Sequence, residues 1–186
     1  MVGAGYMEWM VAMVVCAALA ASWSDYRRHR VPNLLNAVVV LTGLIAQAWF
    51  FGRVGIQQAL MGVLVGSGPL VVLWMMKAMG AGDVKFMGAL GAWLGPQMTL
   101  NALVVGGLVG GALALCMLAA QRNWRQTSVN MGVLVTKMSS LRTAFGEFGS
   151  ARSMNASGSV MPYAIPLSAG AIAVVFANYF GWWKVL

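Results

Sequence analysis

Four acidic residues stand in this chain of 186: Glu8, Asp25, Asp83 and Glu147. Two of them sit where they could do chemistry. Asp83 follows a Gly-x-Gly in Met79-Gly80-Ala81-Gly82-Asp83-Val84-Lys85, between apolar segments. Asp25 opens the polar stretch Asp25-Tyr26-Arg27-Arg28-His29-Arg30-Val31-Pro32-Asn33. A carboxyl at the border of hydrocarbon is costly and marks a functional site by default. Glycine lets a backbone bend sharply and lets another chain come close, so Gly80 and Gly82 suit an extended peptide lying beside Asp83. Two carboxyls held together cannot both ionise readily and share a proton. The charged one can activate water while the protonated one hydrogen-bonds a scissile carbonyl. That chemistry is aspartic hydrolysis of a peptide bond, with Asp25 and Asp83 as the catalytic pair and neither metal nor cofactor required. The helix macrodipole adds an expected asymmetry. Asp83, at a helix start, is mainly the base, and Asp25, at a helix end, mainly the acid.

The elements that must hold this pair are apolar helices. The chain is 60% hydrophobic and 9% charged, whereas a soluble domain is about a quarter charged. It reads as one all-α polytopic membrane domain over residues 1–186. Apolar runs predict six transmembrane helices at 7–24, 34–51, 56–76, 86–95, 98–120 and 162–183. Pro32 turns the chain before the second, Gly52 to Gly55 turns it before the third, Pro69 should kink the third, and Pro96-Gln97 ends the fourth. The run 86–95 covers only about half a bilayer core, so its helix is expected to begin near Asp83. Gly106-x-x-x-Gly110 and Gly107-x-x-x-Gly111 have the spacing that lets helices pack closely. The N-terminus lacks a basic n-region and a small-residue cleavage site, so the first apolar run is expected to be retained.

Residues 121–161 form the one long polar segment. Within it Val133, Leu134, Met138, Leu141, Ala144 and Phe145 recur at helical spacing. This predicts a basic amphipathic helix over 129–148, lying on anionic lipid at the cytoplasmic surface. The net charge of +8 is read as topology, because Lys and Arg gather on the cytoplasmic side of membrane proteins, and no nucleic-acid partner is expected. Ten basic residues fall in one set of loops (Arg27, Arg28, Arg30, Lys77, Lys85, Arg122, Arg125, Lys137, Arg142, Arg152) and two, Arg53 and Lys184, in the other. That bias puts both chain ends in the periplasm and both acids at the cytoplasmic edge. The two cysteines, Cys16 and Cys116, read as small packing residues.

With those residues in hand, the chain resembles the type IV prepilin peptidases, the Gly-x-Gly-Asp class of intramembrane aspartic proteases, and most of all their short Flp/Tad-pilus form. Asp25 to Asn33, with its basic run and Pro-Asn, is similar to the family's first aspartate segment. Gly80-Ala-Gly-Asp83-Val-Lys85-Phe is similar to the second, and Met161-Pro162-Tyr163 with Gly170 to the last helix. Pro166 departs from the family's usual uninterrupted helix. The resemblance implies cleavage of the basic leader of prepilin substrates at the cytoplasmic face of the bacterial inner membrane. Gly80, Gly82, Lys85, Pro162 and Tyr163 are candidate substrate-binding residues, although as a lysine snorkelling to the interface Lys85 needs no function. The family's cytoplasmic cysteine insert has no counterpart here, so peptidase activity alone is expected, without N-methylation. The competing classes are an ion- or proton-coupled transporter and a non-catalytic pilus-assembly scaffold. Transporter acids belong near the bilayer midplane, and these lie at one edge.

Overall fold

The computed structural model describes residues 2–28, 31–75, 79–120 and 164–182. Among these there is no strand. Four helices follow in order: α1 (Val2–Arg28), α2 (Asn33–Met75), α3 (Ala81–Ala120) and α4 (Ala164–Tyr179). Three stretches, Gly5–Arg27, Asn33–Met75 and Ala81–Leu113, are long and apolar enough to cross a membrane, and α4 is a shorter apolar helix. The amphipathic helix expected at 129–148 lies outside the described residues, as do Pro162 and Tyr163.

α2 and α3 each contain one glycine that leaves the helical region, Gly52 (φ 61) and Gly95 (φ 70). A positive φ is cheap only for glycine, and at both points the chain doubles back. Residues 47 and 55 would lie about 12 Å apart along a straight helix. Instead, a Cβ on Gly55 would fall 2.0 Å from the Gln47 carbonyl oxygen. A Cβ on Gly66 would meet both Met87 and Thr99, which a straight α3 would hold about 18 Å apart. The two turns therefore fall where Gly52–Gly55 and Pro96-Gln97 predict them. Pro69 lies inside the second limb of α2, and the backbone angles around it stay helical.

The first limb of α3 is the centre of the bundle. Phe86 to Gly95 are buried without a break, so this limb has no polar face, as befits a helix surrounded on all sides. It begins at Ala81, two residues before Asp83, as the short apolar run 86–95 requires. Small residues let its neighbours reach it. A Cβ on Gly62 would lie 2.0 Å from the Gly91 carbonyl oxygen, and one on Gly43 would lie 2.9 Å from the Trp93 ring. α4 closes on the second limb of α3 in the same way, with Gly170 against Gly106 and Ala102. Gly106 and Gly110 face Pro166 of α4, whereas Gly107 and Gly111 face open space. The expected close-packing motif is thus used by one of its two glycine pairs. Pro166 falls in the first turn of α4, where a missing N–H costs nothing.

At the reversal end, Gly95 and Pro96 strand the last carbonyls of the central limb. The Trp93 carbonyl accepts from the Tyr6 hydroxyl and from Gln47 Nε2 (3.4 Å), while Trp93 Nε1 donates to the Val39 carbonyl at 3.0 Å. Polar side chains thereby satisfy groups that a broken helix leaves orphaned. Outward faces carry Trp9, Ile45, Trp49 and Leu108, all strongly exposed, a surface suited to lipid rather than water. Cys16 and Cys116 are also exposed, which corrects their reading as packing residues: both face outward from helices whose inner faces are filled by other side chains.

Candidate active site

α1 buries a stripe at helical spacing: Tyr6, Met10, Val14, Ala17, Ala21 and then Asp25. The periodicity that packs α1 into the core thus carries Asp25 inward too, leaving it 5% exposed. α1 runs on to Arg28, so Asp25 sits in the last turns of a helix, not in a loop. Arg27 points elsewhere, its guanidinium 4.6 Å above the Trp23 ring.

Asp83 is the third residue of α3. The Gly80 carbonyl accepts from Asp83 N at 3.2 Å and from Val84 N at 3.5 Å, which makes Gly80 the cap residue. The Asp83 carboxylate reaches back to the Gly80 backbone, one half of a capping box, since Gly80 has no side chain for the return bond. Asp83 is 8% exposed and close enough to Asp25 for the two to feel each other's charge.

Neither Gly80 nor Gly82 has a positive φ, so the expected sharp bend is not what these glycines provide. A Cβ on Gly80 would sit 3.2 Å from Asp83 Oδ2. Its absence leaves room for the carboxylate. A Cβ on Gly82 would make ordinary contacts with Val31 at 3.5 to 3.6 Å.

The last helix completes the site. Ala164 N, at the start of α4, donates to Asp25 Oδ2 at 3.2 Å across 139 residues of chain. Ser168 Oγ fastens the next turn to the Ala18 carbonyl at 3.2 Å. The helix-end argument gave Asp25 only the unfavourable end of α1. The fold also gives it the N-terminus of α4, so each carboxyl meets a helix-start N–H and the helix-end argument no longer distinguishes the two.

Both acids line one cavity of about 420 Å³ with Val31, Asn33, Gly80, Ala81, Gly82 and Lys85. Lys85 Nζ donates to Asn33 Oδ1 at 3.3 Å at its exposed rim. A slightly larger cavity, about 460 Å³, lies at the reversal end against Gln57, Gln58, Leu60, Met61 and Pro96. It has no titratable lining group, so the chemistry belongs to the first. Among the described residues no three His, Cys, Asp or Glu side chains converge as metal ligands. Of the candidate site residues, Asp25, Gly80, Gly82, Asp83 and Lys85 come together, and Pro162 and Tyr163 directly precede the Ala164 that binds Asp25. Sequence reasoning missed the Ala164 amide, which no side-chain pattern announces, and Asn36, a buried amide that hydrogen-bonds Gly82. Its only signal was an asparagine one turn into an apolar run.

Comparison with known proteins finds leader peptidases among the relatives of this chain. A prepilin leader peptidase/N-methyltransferase of Xanthomonas campestris is 28% identical over 137 residues, 70% of this chain and 47% of its own length. The enzyme of Burkholderia pseudomallei with the same name is 34% identical over 113 residues, 54% of this chain and 36% of its own. A type 4 prepilin-like proteins leader peptide-processing enzyme of Escherichia coli O78:H11 is 32% identical over 111 residues, 55% of this chain and 41% of its own. The chain spans less than half the length of each of these three. No solved structure matches it. The model of the type IV leader peptidase family matches residues 12–115, a stretch that holds both aspartates and the whole central limb, and the chain belongs to that family.

Proposed function

We propose that this chain is an aspartic endopeptidase that removes the basic leader from type IV prepilins, of the Flp/Tad kind, at the cytoplasmic face of the bacterial inner membrane. One observation carries the reading: two of the chain's four acids are buried and line a single cavity beside two glycines. Names of relatives supply the substrate class. The proposal is confined to peptide-bond cleavage. Six crossings fit the two glycine reversals, with both chain ends in the periplasm and residues 121–161 in the cytoplasm.

In this reading the apolar segment of the prepilin docks among the helices, and its leader junction unwinds beside Gly80 and Gly82. Asp25 and Asp83 share one proton and hold a water between them. The ionised carboxylate takes a proton from that water as its oxygen attacks the carbonyl carbon. The protonated carboxyl donates to the carbonyl oxygen. The resulting tetrahedral intermediate collapses as a proton passes to the leaving nitrogen and the C–N bond breaks. Helix-start amides at Gly80 and Ala164 hold the two carboxyls against the cavity, so little reorganisation is needed. Lys85 at the rim, with Pro162 and Tyr163 before α4, would contact the substrate.

The test uses purified protein in detergent and a prepilin-like precursor with a basic leader followed by an apolar helix. Wild type should shorten the precursor. Asp25→Asn and Asp83→Asn should each lower the rate by roughly 10²- to 10⁴-fold, the usual range for a missing acid or base, with unchanged thermal unfolding. Wild-type rates from either variant would end the proposal.

A further inference from the structure

Asn36 sits in the first turn of α2, 5% exposed. Its backbone N donates to the Pro32 carbonyl at 3.3 Å. Its side-chain Nδ2 donates across to the Gly82 carbonyl at 3.5 Å, the carbonyl of the peptide that links Gly82 to Asp83. One turn earlier on the same helix, Asn33 accepts from Lys85. Two asparagines of α2 therefore grip α3 on either side of Asp83. The other side-chain atom of Asn36, Oδ1, is buried and has no hydrogen-bond partner among the described residues. A buried acceptor left unmatched is destabilising, and such a group in a native structure calls for a reason beyond packing. Leucine would fill the same volume without that cost.

We infer that Asn36 is a positioning residue: through the Gly82 carbonyl it fixes the first turn of α3, and with it the Asp83 carboxyl, opposite Asp25. The inference rests on the aspartic peptidase reading. Asn36 does not line the cavity that holds the two carboxyls. Its loss therefore acts on the chemical step and not on binding. The site tolerates an unmatched acceptor because the donor half of the same amide holds the catalytic turn.

Asn36→Leu separates this role from a structural one. In the precursor assay kcat should fall about tenfold, as small misplacements near reacting groups do, with KM unchanged. The midpoint of thermal unfolding in detergent should stay the same or rise, because the orphaned acceptor is gone. Asn36→Met, apolar and flexible enough to fill the site, also loses the donor and should lose kcat as far. It also keeps the question open to measurement if the leucine variant does not fold. Wild-type kcat in either variant overturns the inference, as does a kcat loss matched by a fall in the unfolding midpoint or by a rise in KM. Asp25→Asn and Asp83→Asn are assayed alongside. If they cleave normally, the peptidase reading fails. If they are inactive while Asn36→Leu is fully active, only this inference fails.

Discussion

Gly80 and Gly82 flank the same alanine and carry different burdens. A methyl at Gly80 would press on Asp83 Oδ2 from 3.2 Å, a separation at which the carboxylate must move by a few tenths of an ångström. A methyl at Gly82 would meet Val31 at ordinary contact distance. Gly80→Ala should therefore lower kcat several-fold to about tenfold, on the scale by which small displacements of reacting groups slow catalysis. Gly82→Ala should fold normally and act mainly on KM, because Gly82 lines the cavity. Steady-state kinetics on the two variants checks both expectations, and equal kcat losses would contradict the geometry. The motif itself was legible at this scale, since four acids in 186 residues leave little choice of pair. The purpose of its glycines was not. A sequence states that a Cβ is absent, but not which atom occupies the freed space. Nor could it state that the Ala164 amide would reach Asp25, because a contact made by backbone leaves no mark on residue type.

Among the elements, tight helix crossings set the position of the central limb, and so of Asp83 at its start. A Cβ on Gly91 would approach the Gly62 carbonyl oxygen to 2.1 Å, and the obstacle is backbone that cannot rotate away. Gly91→Ala and Gly62→Ala should each destabilise the fold by at least about 1–3 kcal/mol, the usual scale of overpacking. Gly107→Ala and Gly111→Ala, which meet nothing within 4 Å, should leave stability unchanged or raise it slightly, since alanine is the better helix former. Denaturant titration in detergent distinguishes the two pairs. From sequence the glycine spacing at 106–111 pointed to a close contact, and it does form, but only Gly106 and Gly110 face α4. The Gly62–Gly91 crossing has the same spacing on both sides, in Gly62-x-x-x-Gly66 and Gly91-x-x-x-Gly95, but spacing does not say which helix pairs with which. Its partners lie on different helices, and their pairing depends on how the chain doubles back at Gly52. Pro69 sits within α2 with helical backbone angles around it. Neighbouring groups in a bundle can re-satisfy what a proline frees.

For the whole molecule, the reversals at Gly52 and Gly95 determine which ends of the helices share a surface. Asp25 near the end of α1, Asn33 at the start of α2 and Asp83 at the start of α3 lie at one end of the bundle. Tyr6, Phe50 and Phe51 cluster at the other, with ring centroids 5.0 to 6.5 Å apart. About 19 residues of α1 separate Tyr6 from Asp25, a rise of roughly 28 Å and close to the thickness of a bilayer core. The two ends therefore fit two opposite membrane faces. Loop charge then orients them: Arg27, Arg28 and Lys85 stand at the aspartate end, and Arg53 stands at the first reversal. The bias predicts that the aspartate end faces the cytoplasm. The exposed native thiols Cys16 and Cys116 are first changed to serine. Single cysteines are then placed at Arg53→Cys and Tyr26→Cys, both at exposed positions. In spheroplasts a membrane-impermeant maleimide should label the residue-53 thiol, and should reach the residue-26 thiol only after lysis. The reverse pattern would put the carboxyl pair in the periplasm, away from any substrate whose basic leader is held on the cytoplasmic side. Labelling of both before lysis would mean that the two ends do not lie on opposite faces, and the reading of Gly52 as a turn between two crossings would fall with it.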